Sequence, residues 1–486
     1  MITLPKAFFG VLATGLLLAV ACGSESAPGA MDNTTAGSVQ QSECPGCVLR
    51  ERIASAQPGD TIDIAAAVYT MTGGELVIDK DLTLIGAGAE VTIIQAAPSL
   101  DQAVHRVIRV VEETVVYISG VTIRYGSEAS TEVRMVPFHS EAVGMISSGI
   151  EAIRAEFGGG IYNQGTLTLT DSIVTENFAG GGAGIFNGAK VTIGNSSILG
   201  NKSRGYGSGL FNGGILHASN TLIADNMAGG RAGFSNWGNA FLMGVTFDGN
   251  RSIISGGGFH NASVGTMTLD SSTVSNNESS MAGGINHWGR LSVTNSTISG
   301  NTARFGGGIE SRGVLTLTHS TVSGNSAVEG GGFAIRIMVS NDETLIANSI
   351  IANNTAEIEP DCLGVITSLG NNLIGNDSGC GFIPGDGDTM GTKARPVDAR
   401  LGALADNGEP TATNALLPGS PAIDASAEGS CPPLDQRGFQ GRVADRATSG
   451  PSSGKFLLGP DIFLFADRAC VFGYSMPNID LGGGNG

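Results

Sequence analysis

Gly158-Gly159-Gly160-Ile161-Tyr162-Asn163 is followed by Gly165, then by Thr166-Leu167-Thr168-Leu169-Thr170, then by Ser172-Ile173-Val174-Thr175-Glu176-Asn177. The opening motif returns at Gly182 (GAGI), Gly207 (GSGL), Arg231 (RAGF), Gly256 (GGGF), Ala282 (AGGI), Gly306 (GGGI) and Gly330 (GGGF), in steps of 24, 25, 24, 25, 26, 24 and 24 residues. A fixed period of this length is the signature of a stacked repeat. Within each unit the Thr-Leu-Thr-Leu-Thr alternation is that of a half-buried strand. Each unit therefore reads as three short strands joined by Gly-rich bends, and a unit this small buries its apolar side chains only by stacking on its neighbours.

Superposing the units gives two apolar columns. One is Leu169, Ile193, Leu242, Leu269, Val293 and Leu317; the other is Val174, Ile198, Ile223, Phe247, Val274, Ile298, Val322 and Ile351. At about 1.5–3 kcal/mol per large buried aliphatic side chain, these columns dominate stability. The expected fold is all-β: a right-handed parallel β-helix of the pectate-lyase-like superfold, with three short strands per coil of about 24 residues and rungs ~4.8 Å apart.

Asparagine forms two further columns. Asn163, Asn187, Asn212, Asn236 and Asn261 end at His287; Asn177, Asn201, Asn226, Asn250, Asn277, Asn301, Asn325 and Asn354 form the second. Their expected role is an amide ladder in which each side chain bonds the next coil at a bend; the alternative is a polar binding strip.

Composition agrees with the repeat. Gly accounts for 75 of 486 residues, which supplies many tight corners, while charged residues are only 14%. The net charge of −18 disfavours nucleic acid and anionic lipid as partners. Residues 7–21 are apolar or small and too short to span a membrane as a helix. They lead into Leu18-Ala19-Val20-Ala21-Cys22-Gly23, which resembles a bacterial lipobox with Cys22 as the lipidated residue; plain secretion is the alternative. Removing Cys22 leaves Cys44, Cys47, Cys362, Cys380, Cys431 and Cys470, an even set that in an exported chain points to disulfides. Cys362–Cys380 and Cys431–Cys470 are the first pairings to consider. Cys44-Pro45-Gly46-Cys47 reads as a local disulfide, a redox pair or half of a zinc site.

The units resemble polymorphic outer-membrane protein repeats, whose GGAI-like and FxxN-like motifs recur on a β-helix; Phe247-Asp248-Gly249-Asn250 fits the second motif. Cys47-Val48-Leu49-Arg50-Glu51-Arg52-Ile53, Asp60-Thr61-Ile62 and Leu82-Thr83-Leu84-Ile85-Gly86 resemble the CSLREA-type region that precedes such helices. Leu404-Ala405-Asp406-Asn407-Gly408, Leu417-Pro418-Gly419-Ser420-Pro421-Ala422-Ile423-Asp424 and Asp435-Gln436-Arg437-Gly438 are similar to a choice-of-anchor ending. These resemblances imply fold and surface location more than activity.

The expected organisation is a lipoprotein signal peptide at 1–22 and a tether at 23–43. An N-terminal cap and first coils follow at 44–125, with strands near 75–78, 82–85, 91–94, 107–111, 115–118 and 121–124. An insertion at 126–157 precedes regular coils at 158–355, irregular final coils at 356–441 and a C-terminal cap or extension at 442–486.

Tyr162, Phe186, Phe211, Ser235, His260, Asn286 and Glu310 occupy one outward position, and the insertion is expected to pack on its aromatic part. Trp237 and Trp288, two coils and ~10 Å apart, are candidates for stacking on sugar faces, with His287, Arg290 and Arg312 on the same side. Lys202, Arg204, Arg231 and Arg251 gather near another bend. No Asp shares a column with a neighbouring Asp; Asp225 and Asp248 alone lie in adjacent coils near a bend, thin support for calcium. No cofactor is expected. The function expected is a non-catalytic exported surface lipoprotein presenting a β-helix face for adhesion or glycan binding. Its partners would be an extracellular glycan or a neighbouring cell-surface component, and it would be a monomer held at the membrane by lipid alone. The alternative is a carbohydrate-active enzyme, a polysaccharide lyase or glycoside hydrolase; a passive envelope rod is the third.

Overall fold

The computed structural model describes residues 44–128, 157–336, 342–408, 410–423, 425 and 434–438. Signal, tether, Cys22, Cys431, Cys470 and the extension after 441 lie outside the described residues, as does most of the insertion.

Alternating apolar residues, Thr and Gly build a parallel β-solenoid of about 11 turns. In each regular coil a three-residue strand such as Ile161–Asn163 forms the first face. A five-residue strand such as Thr166–Thr170 forms the second, and a three-residue strand such as Ile173–Thr175 the third. Every strand pairs in parallel with its counterpart one coil away. The register is the one that the columns require: Leu169↔Ile193, Leu242↔Leu269, Leu269↔Val293 and Val293↔Leu317 on the second face, and Val174↔Ile198↔Ile223↔Phe247 on the third. Ala218 fills the position between Ile193 and Leu242. Both columns are buried in one continuous core.

The corners set how closely the rungs approach. A Cβ on Gly160 would stand 2.6 Å from the Gly184 carbonyl and 2.9 Å from Asn177 Nδ2, so the third Gly of the motif is required by the next coil. The corner before the first face places Gly256 and Gly306 in the left-handed region, and Ala282 takes the same conformation at φ 58°. Between the second and third faces Asn195, Asn220 and Asn295 do so, as short amide side chains tolerate best.

At the N-terminal end, helix α1 (Pro45–Ser55) starts with Pro at its first turn and Cys44 Sγ accepting from Cys47 N at 3.3 Å. It buries Leu49 and Ile53 on the solenoid core, and covering an open end hides strand edges. Cys44 is bonded to Cys47, and Cys362 to Cys380. The strand Cys362–Ser368 runs without a corner through two faces, pairing first with Phe333–Ile335 and then with Glu343–Ala347.

The last stacked strand is Thr389–Met390, paired with Leu373–Ile374. Beyond it the described residues turn away from the stack. Leu401–Ala405 and Thr413–Leu416 form an antiparallel hairpin, and Ala399, Leu416 and Ala422 pack with Ile350, Ala352 and Leu373 in a separate small core. The reason lies in the outer side of the third face, where small residues such as Thr273 and Thr297 accept a second layer. Thr273 Oγ1 donates to Ala412 O at 2.7 Å, and Gln436 Nε2 donates to Ser272 O at 3.1 Å while its Oε1 accepts from Thr297 at 2.7 Å. The C-terminal segment thus folds back over coils more than a hundred residues earlier in the chain.

Candidate functional site

Both Asn columns are inside the solenoid as continuous ladders. Asn163, Asn187, Asn212 and Asn236 each donate through Nδ2 to the Oδ1 one coil on, at 2.7–2.8 Å. Asn261 then donates to Nδ1 of His287 at 3.2 Å, and His287 Nε2 donates to Val314 O at 3.0 Å. His287 is fully buried, and burial pushes its pKa down to about 4. As a neutral rung of the core it has no access to a sugar, which corrects its reading as a glycan contact. The second ladder runs from Asn177 to Asn354 and ends on Asp361 Oδ1 at 2.9 Å. Each amide also donates to a carbonyl of the preceding coil, as Asn226 does to Ile198 at 2.9 Å, so these side chains are fully occupied.

A third ladder escaped the sequence reading. Ser172 N donates to Ser196 Oγ at 3.2 Å, and the pattern repeats from Ser272 to Ser296 to Ser320 to Ser349. Its signal is the Ser that follows Asp171, Asn195, Ser271, Asn295, His319 and Asn348 in six units.

The outward stripe of the first face divides by chemistry. At its N-terminal end Tyr162, Phe186 and Phe211 stack at 4.9 and 5.6 Å. Arg106 lies 4.6 Å over Tyr162, and Phe157 covers Phe186 and Phe211 at 5.0 and 5.4 Å. Trp237 continues the stack on Phe211 at 6.2 Å and meets the edge of Tyr206 at 6.1 Å; it remains 38% exposed.

Past Trp237 the stripe becomes polar. Arg231 lies 5.8 Å from the Tyr206 ring and 4.3 Å from that of Trp288, whose ring also carries Arg312 at 5.2 Å and the edge of His260 at 5.3 Å. Beneath them Glu310 is fully buried. Arg312 donates to its Oε1 at 2.9 and 2.7 Å, Asn286 donates to its Oε2, and Arg336 stands 4.0 Å away. His260, also fully buried, is pushed down to about 3 by burial and by Arg231, whose Nη1 is 3.4 Å from its Nε2. The imidazole is therefore neutral and unsuited to proton transfer near neutrality. Arg231 has its own pKa lowered, chiefly by burial, and pairs with no carboxylate among the described residues. Two atoms in this patch, Ser235 Oγ and Trp288 Nε1, are buried without a hydrogen-bond partner among the described residues, each at a cost of about 1–3 kcal/mol.

Of the five sugar-contact candidates, Trp288 and Arg312 come together, Trp237 joins them through Tyr206 and Arg231, and His287 does not. Arg290 is exposed at the start of the second-face strand Arg290–Thr294. Arg231 leaves the basic group in which the sequence placed it: Arg204 lies over Phe178 at 5.1 Å, and Arg251 pairs with Glu278 at 3.0 Å on the surface. The signal for Arg231 was positional, since Gly or Ala opens the motif in every other unit; Ala232 takes the left-handed corner there instead. Asp248 accepts from Ser275 at 2.6 Å and Asn276 at 2.8 Å. Among the described residues no three His, Cys, Asp or Glu side chains converge on a metal position, and no helix is long and apolar enough to cross a membrane.

No protein-family model matches the chain, and no curated protein matches it. Among solved structures it is similar to the A-module of the mannuronan C-5 epimerase AlgE4 of Azotobacter vinelandii, at 14% identity over 70% of this chain and 90% of that one, with a TM-score of 0.38. It is also similar to a PL6 alginate lyase in complex with a trisaccharide, at 11% identity over 78% and 89% with a TM-score of 0.34. A third is the family 28 exopolygalacturonase of Yersinia enterocolitica, at 10% identity over 71% and 74% with a TM-score of 0.24.

Proposed function

We propose that this chain is a non-catalytic, exported surface protein, anchored by lipid at Cys22, that binds a glycan across the outer side of its first face. The observation that supports this reading is the line of ring and guanidinium contacts from Trp237 through Tyr206 and Arg231 to Trp288. Aromatic faces flanked by planar hydrogen-bonding groups suit sugar rings, which offer an apolar face and a hydroxylated edge. Glu310 is held by Arg312 and Asn286 rather than facing a second carboxyl, and hydrolysis requires two.

A glycan array compared with Trp237→Ala and Trp288→Ala tests the site. The expected result is retention of a ligand class by the parent protein and its loss in both variants; unchanged retention in both would remove the proposal. Release of unsaturated or reducing product from a retained polysaccharide would replace binding by catalysis. The mass of the mature N-terminus decides lipidation.

A further inference from the structure

We infer that the ligand of this face is an acidic glycan and that Arg231 is the counter-charge for a uronate carboxylate. The inference rests on the glycan-binding reading and adds the chemical class.

Three observations carry it. A cation stands at Arg231 where the repeat otherwise places Gly or Ala, and the left-handed corner shifts to Ala232 to admit it. Its guanidinium is half-buried between Tyr206, Trp288 and neutral His260. Arg312, three coils further on, is bound to buried Glu310, whereas Arg231 makes no ion pair among the described residues and feels Glu310 only through its field. A guanidinium partly withdrawn from water is stabilised by a planar anion that it can grip with two parallel N–H donors. The Trp288 ring lies 4.3 Å from that guanidinium, so an apolar ring surface stands beside the cation. A carboxylate on a pyranose ring satisfies both demands, because the ring stacks on an indole while its carboxylate reaches the guanidinium. The chain as a whole carries −18, so general electrostatic attraction would not bring a polyanion to it; recognition has to be local.

The test uses polygalacturonate, alginate and hyaluronan, each beside its carboxyl-reduced counterpart, with dextran sulfate as a sulfated polyanion, and measures affinity by calorimetry. The parent protein is expected to bind at least one uronate polymer roughly 10- to 100-fold more tightly than its reduced form, with affinity falling as salt rises. Arg231→Gln is expected to erase that preference while leaving the weaker binding of the reduced polymer, and Arg231→Lys to restore part of it. Melting temperature verifies folding, and Arg231→Lys keeps the test alive if the Gln variant does not fold. Equal binding of acid and reduced forms, or full acid preference in Arg231→Gln, overturns the inference and leaves glycan binding standing. Equal or tighter binding of dextran sulfate overturns the carboxylate assignment. Binding of no polysaccharide at all overturns both readings.

Discussion

Asn261 donates through Nδ2 to Nδ1 of His287 at 3.2 Å, so that an imidazole takes the place of an amide in the first ladder. Because Nδ1 accepts, the proton resides on Nε2, which donates to Val314 O at 3.0 Å. A second proton would break the Asn261 bond and bury a charge.

The first prediction concerns acid. The folded pKa of His287, about 4, lies below the unfolded value of 6.5. Its contribution to stability is therefore complete above pH 6.5 and is lost as pH falls through the folded value. The gap corresponds to about 3 kcal/mol. His287→Asn, which keeps one acceptor and one donor, is expected to flatten the acid limb of a denaturation profile between pH 6.5 and 4 by about that amount. His260, depressed to about 3, has the same sign, so part of the limb remains. An unchanged limb would show that His287 is not the titrating group.

The middle of the second ladder is expected to be sensitive to truncation. Asn226 accepts from Asn201 N and Nδ2 at 3.0 Å and donates to Ile198 O and Asn250 Oδ1 at 2.9 and 3.0 Å. Asn226→Ala strands these partners inside the core and is expected to cost about 2–4 kcal/mol in urea unfolding. Asn239, exposed at its strand start, should change stability by no more than about 0.5 kcal/mol as the alanine variant.

One corner offers a gain. Ala282 holds φ 58° where Gly256 and Gly306 hold the equivalent corners. A non-glycine residue pays about 1–2 kcal/mol for this conformation, against roughly 0.5–1 kcal/mol of extra unfolded-state entropy for Gly. Ala282→Gly is expected to raise the melting temperature slightly, by the equivalent of about 0.5–1 kcal/mol; a fall would show that the methyl group's packing outweighs the strain.

The fold-back of the C-terminal segment is expected to depend on Gln436. It bonds Ser272, Thr273, Thr297 and Thr411 and is buried. Gln436→Ala should speed limited proteolysis within 401–438 by about tenfold while the coil signal in circular dichroism is retained, because the stacked rungs do not depend on the hairpin. Cleavage at the parent rate would assign the docking to the apolar cluster around Leu416.

The coil architecture was legible because its causes are periodic. Val174, Ile198 and Ile223 recur at the spacing that the ladder register demands, and the spacing alone aligned them. The site was legible only in part. Trp237 and Trp288 were visible as rare residues, but His287 was assigned to the surface because alternation was not carried through the Asn column that it ends. Arg231 needed the distinction between a corner that requires a small residue and one that admits a long cation. The C-terminal hairpin has no period, and its docking by Gln436 and Thr411 on rungs more than a hundred residues away leaves no local pattern to read.

In both Asn files one N–H of each amide points to the next coil, toward the C-terminal end of the solenoid, and the Oδ1 of each amide after the first accepts from the coil before. Small dipoles aligned head to tail add, as peptide dipoles do along a helix, so the interior carries an electrical polarity parallel to its axis. Asp361, which accepts the final Asn354 N–H, stands at the positive pole. Burial raises the pKa of that carboxyl, and the Asn354 bonds offset only part of the rise; its Oδ1 terminates the array as the last acceptor.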